Sequence, residues 1–120
     1  LHSGYMLQCL VANTRQHPVP DPSAFLGYAT QGGADLLGRK DLGRLAPGMA
    51  ADLFAIDTRR LEYVGTRHDP ASLIPKVGIS RPVDMTMING RIVWRDGHFP
   101  GLDEADLFTK AEASFHRILS

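Results

Sequence analysis

Five histidines, one cysteine and thirteen acidic residues are the groups in this 120-residue chain that could carry hydrolytic or metal chemistry. A hydrolytic metal site needs several His, Asp, Glu or Cys side chains converging on one ion. His2, His17, His68, His98 and His116 include no H-x-H pair, and no two stand at i and i+4. The spacing therefore assigns no metal ligand, no catalytic residue and no substrate-binding residue to this chain. His68 precedes Asp69-Pro70 and reads as a turn histidine satisfied by local hydrogen bonds. Cys9 stands alone, which excludes a disulfide framework and a thiolate cluster. It reads as a small buried apolar residue in a reducing, cytoplasmic compartment. Asp52 and Asp57 flank an apolar run and offer a carboxylate pair for acid–base work. At the rise of an extended strand they lie about 16 Å apart, too far to share a substrate bond, and so read as turn caps. No G-x-S-x-G elbow occurs, and Gly38-Arg39-Lys40 lacks the spaced glycine and following Ser or Thr of a phosphate loop.

The elements around these residues follow from pattern and punctuation. Met6, Leu7, Leu10 and Val11 recur at helical spacing, with Tyr5, Cys9 and Ala12 beside them, so the opening helix is apolar on nearly every side. Such a helix normally sits between other elements, and little of this chain remains to surround it. His17-Pro18-Val19-Pro20 ends it. Asp21 then caps a second helix with Pro22 in its first turn, Phe25, Tyr28, Ala29, Gly32 and Leu36 on its face, and Gly38 as left-handed C-cap. Gly32-Gly33 inside that helix costs about 2 kcal/mol relative to alanine, which implies close packing of another backbone or a bend. Pro47-Gly48 has the placement of a type II turn. Leu53–Ile56 reads as a strand buried on both faces. Asp69-Pro70 resembles an N-cap and first-turn proline opening a short helix before Pro75. Val83–Ile88 and Arg91–Arg95 flank Asn89-Gly90, the strongest short-range hairpin signal, and Asp96-Gly97 ends the second strand. Asp103 caps a closing amphipathic helix with Phe108, Ala111, Phe115 and Ile118 on one face. The order helix, helix, strand, short helix, hairpin, helix is a mixed α and β arrangement.

Hydrophobic residues at 43% and charged residues at 22% place the chain among soluble globular proteins. Thirteen basic residues balance thirteen acidic ones, so no global field draws in nucleic acid or a membrane surface. No apolar run approaches a membrane span, and no signal peptide is legible. The chain begins at Leu1, inside a helix, which is the expectation for part of a longer reading frame.

Ala29-Thr30-x-Gly32-Gly33-Ala34-x-x-Leu37-Gly38-Arg39-x-Asp41-Leu42-Gly43-x-Leu45-x-Pro47-Gly48-x-x-Ala51-Asp52-Leu53-x-x-x-Asp57 resembles the C-terminal signature of the amidohydrolase superfamily. Val83-x-x-x-x-Ile88-Asn89-Gly90-x-x-Val93-x-x-x-Gly97 resembles the closing hairpin of the same enzymes. His68-Asp69-Pro70 and the last helix bring it nearest the 8-oxoguanine deaminase, cytosine deaminase and triazine hydrolase branch. The resemblance implies the last helices of a (β/α)8 barrel over residues 1–40, the C-terminal part of a small β-sandwich over 41–98, and a C-terminal helix over 99–120. The two glycines would let a helix approach closely, and Asp52 would fix the start of a buried strand. It implies a metal-dependent hydrolase of non-peptide C–N bonds, a nucleobase or triazine deaminase, whose zinc or iron activates a water. The family's metal ligands, an H-x-H pair, two further histidines and an aspartate, lie upstream of the matched region, so none is carried onto a residue here. The segment alone is expected to be inactive, with a small-molecule substrate only if it is joined to the barrel. A non-catalytic association module built on the same fold piece is the alternative, and an amide or cyclic-ureide hydrolase of the same superfamily is a third reading. Homo-oligomerisation is expected because the first helix and the strands would lack their partners.

Overall fold

The computed structural model describes residues 1–119, so the last residue of the expected 99–120 unit lies outside the described residues. Helix α1 spans His2–Thr14. Helix α2, Pro22–Gly27, opens on Asp21, whose carboxylate accepts the Ser23 N–H at 2.9 Å. It continues through a π-helical turn, Tyr28–Gly32, into α3, Gly33–Leu36. Gly38, at φ +67°, closes this run, and the Arg39 N–H returns to the Ala34 carbonyl at 2.9 Å. That left-handed stop satisfies carbonyls the helix end would otherwise orphan.

The sheet has three antiparallel strands in the order β1 (Leu53–Ala55), β2 (Met85–Ile88), β3 (Arg91–Arg95). Leu53 faces Met87, and Met85 faces both Ala55 and Arg95. Asn89 and Gly90, at φ +48° and +78°, make the tight turn between β2 and β3, the positive-φ pair that matches strand twist. A bulge at the Thr86–Met87 step shifts the register within this hairpin. Asp96 and Gly97, at φ +51° and +91°, turn the chain again, and Arg95 and His98 exchange backbone hydrogen bonds at 3.0 and 3.1 Å. The Pro47-Gly48 turn is also formed, with Gly48 at φ +83° and Met49 N–H on the Ala46 carbonyl at 3.1 Å. Helix α4, Glu104–Leu119, begins where the Asp103 carboxylate accepts the Asp106 N–H at 3.0 Å.

The small core lies where α1 and α2 pack on the helical turn Leu73–Val77. Tyr5, Ala12 and Leu73 are buried there, and the Tyr5 ring meets Phe25 edge-on at 5.4 Å. No described helix is long and apolar enough to cross a membrane.

The sequence expectations for α1 and for Asp69-Pro70 hold, and others are corrected. As expected of an apolar helix with little chain left to surround it, α1 is not enclosed by the described residues: Met6, Leu7, Leu10 and Val11 are exposed. Strand β1 is not buried on both faces, since Phe54 and Ala55 are exposed and β1 is a sheet edge. Of the two expectations for Gly32-Gly33, close packing or a bend, the first is not met among the described residues, and the π turn Tyr28–Gly32 ends at this pair. A Cβ added to Gly33 would meet nothing within 4 Å, and one on Gly32 meets only Gly27 O of its own helix at 3.6 Å. The close approach belongs to Gly43, at φ +90°, whose added Cβ would stand 2.8 Å from Gln31 Cα. Asp69 does stand at the N-cap of a short 3-10 turn, Pro70–Ser72, with Pro70 in its first turn as expected, and its carboxylate accepts the Ser72 hydroxyl. Pro75 lies inside the turn Leu73–Val77 rather than beyond its end.

Candidate functional site

The histidines are dispersed. His2, on the first turn of α1, is half-buried, and its Nδ1 lies 3.0 Å from the Pro75 carbonyl. Its ring covers Gly78, where an added Cβ would fall 3.2 Å from His2 Cγ. His2 thus pins α1 to the turn it packs on, a role no local sequence signal announces because its partner is 73 residues away. His17, His98 and His116 are exposed, and His116 sits 3.7 Å from Glu112 one helical turn back. His68 ends the short 3-10 turn Thr66–His68 and is exposed; its backbone N–H bonds the Gly65 carbonyl at 3.2 Å. That is the expected turn position with a local hydrogen bond; the bond is made by its main chain, and the ring is exposed. Cys9 is half-buried on α1 rather than fully buried.

The aspartates of the signature act as clasps. Asp52 Oδ1 accepts the Asn89 N–H at 2.6 Å, and the Gly90 N–H reaches the Ala51 carbonyl at 3.1 Å. The entry to β1 is thereby tied to the hairpin turn. At the other end, Asp57 Oδ1 accepts the Arg59 N–H at 3.0 Å, and its carboxylate takes the Arg59 guanidinium in a two-pronged bond. Those hydrogen bonds hold the Asp57 carboxyl down at about 2. Asp84 accepts the Asp57 N–H at 2.6 Å and pairs with the Arg60 guanidinium. Asp41 receives two 2.7 Å bonds from Arg39, which likewise hold its carboxyl at about 2. Asp52 and Asp57 serve different ends of one strand and are not brought together.

An open groove of about 470 Å³ runs between the α2–α3 helix and β1, lined by Ala29, Gly33, Leu37, Leu45, Leu53 and Phe54 among others. The signature glycine Gly33 leaves this wall bare. The lining is mostly apolar, and its charged members, Arg44 and Asp52, leave it without an acid–base pair or nucleophile. Among the described residues no three His, Cys, Asp or Glu side chains converge as a metal site. The donor set of this segment does not fit a catalytic zinc or iron.

The stretch that lines the groove and clasps the sheet lies within a region that matches a known family. The sequence profile of the amidohydrolase family matches residues 2–93. The chain belongs to that family. It is 62% identical over 115 residues to a hydroxydechloroatrazine ethylaminohydrolase of Pseudomonas sp. strain ADP, a match covering 96% of this chain and 24% of that enzyme. It is 40% identical over 101 residues to an 8-oxoguanine deaminase of Pseudomonas aeruginosa, covering 82% of this chain and 22% of the relative. The atrazine chlorohydrolase TrzN from Arthrobacter aurescens TC1, solved in complex with zinc, superposes with a TM-score of 0.68 at 30% identity, over 78% of this chain and 20% of its own. The amidohydrolase segment therefore spans about a quarter or less of the length of these relatives.

Proposed function

We propose that this chain is the C-terminal supporting part of a metal-dependent amidohydrolase that hydrolyses a non-peptide C–N bond on a triazine or nucleobase ring. The 62% identity to the ethylaminohydrolase, sustained over 96% of the chain, carries this reading and favours an N-alkylamino-triazine over a purine. In it, residues 1–40 are the last helices of a (β/α)8 barrel, 41–98 complete a small β-sandwich, and 99–120 add the closing helix. The exposed apolar stripe of α1 and the open edge of β1 support that division, since both await a neighbour.

The zinc or iron of such an enzyme would supply an activated water at a centre outside this segment. This chain's own contribution is mechanical. Asp52, Asp57 and Asp84 hold the sheet, and His2 and Tyr5 hold α1 against its turn, so the last helices keep a fixed angle to whatever they abut. We place the enzyme in the cytoplasm, with no nucleic-acid or membrane partner, in keeping with the balanced charge.

Amine release from N-ethylamino-hydroxytriazine, other aminotriazines and a purine panel tests the reading. The complete gene product should turn over the triazine with stoichiometric metal, and the 120-residue chain alone should do neither. Turnover or tight zinc or iron in the isolated chain would overturn the assignment of a supporting role. A metal-free, inactive complete product would favour the association module instead.

A further inference from the structure

We draw no further inference here: the strongest candidate, the cavity of about 380 Å³ between the start of α1 and the Leu61–Tyr63 turn, beside which the Tyr63 hydroxyl finds no partner among the described residues, carries none because that hydroxyl is sealed from solvent and nothing in the structure shows what fills the open lining around it.

Discussion

At the residue scale, the side chains that matter most are those whose polar atoms close a turn. Asn89 holds φ +48° while its N–H is taken by Asp52 at 2.6 Å. Alanine there meets the left-handed conformation without asparagine's tolerance of it, so N89A should cost about 1 kcal/mol. N13A, near the exposed end of α1, should cost less. Urea midpoints of the two variants in the complete protein check this, and equal midpoints would mean the turn does not constrain the fold. Asp41 and Asp57 give a second check. Each carboxyl is lowered from 3.8 to about 2, first by side-chain hydrogen bonds from Arg39 and Arg59 respectively. A depressed folded value means the interaction stabilises above the unfolded pKa and is lost as pH falls from about 4 toward 2. The pairs are exposed to water, so the effect on stability is small. Carboxyl carbon NMR should place both midpoints near 2, and R39A should return Asp41 toward the usual range. A midpoint for Asp41 near 3.8 in the parent would refute the pairing. Residues of this kind divide by distance in how legible they are. The caps at Asp21 and Asp103 were plain from their neighbours, whereas the His2–Pro75 and Asp52–Asn89 bonds span 73 and 37 residues and leave no local mark.

Among the elements, those with strong punctuation were readable. Asn89-Gly90, Asp96-Gly97, the Gly48 that follows Pro47, and Gly38 all occupy the positive-φ positions their types suggest, because glycine and asparagine are selected by local sterics alone. The departures arise where tertiary context decides. The run 22–36 has helical spacing throughout, yet Tyr28–Gly32 widens to a π turn beside a Thr30 hydroxyl that bonds the Leu26 carbonyl at 2.8 Å. Pro75 is accommodated within Leu73–Val77 because π-type bonding changes which N–H is required. The glycine pair in the signature suggested a tight helix contact, but the contact is made by Gly43 against the Gln31 backbone. G43A combines φ +90° with a Cβ 2.8 Å from Gln31 Cα, so it should destabilise by about 2–3 kcal/mol. G33A, with nothing within 4 Å of its Cβ, should be neutral or mildly stabilising in this segment. Thermal midpoints compare them. If G33A were the more damaging in the complete protein, a neighbour outside this chain would occupy the bare wall of the groove.

The whole molecule is too open for its size. Its accessible surface is 9111 Å², against about 6,400 Å² for a compact monomer of this mass. Its radius of gyration is 18.6 Å, against about 14 Å for a compact 120-residue domain. The excess is apolar in part, since α1, β1 and α4 all present uncovered hydrophobic residues. Composition alone reads as a globular protein; the missing facing layers were legible instead in the all-apolar opening helix with little chain left to surround it, and the topology adds the open edge of β1. Expressed alone, the chain should bind a hydrophobic dye, sediment as a dimer or larger species, and melt over a broad range. A dye-silent monomer with a sharp transition would mean that the segment closes its own core by rearranging.

The clasp between Asp52 and the Asn89 N–H also orders events in time. The hairpin β2–β3 closes through a two-residue turn, a contact of short sequence separation that forms in microseconds. Strand β1 must return across the intervening residues 56–84 to find Met85–Ile88, and its loop-closure entropy is lost before any pairing rewards it. The carboxylate can engage Asn89 only after the turn exists, which makes the clasp a late event on the route to the native sheet. Removing it with D52A should therefore speed unfolding while leaving the refolding rate of the complete protein nearly unchanged. A refolding rate that falls in step with stability would place β1 in the nucleus instead. With the clasp late, the hairpin is a template that stands ready before its outer strand arrives.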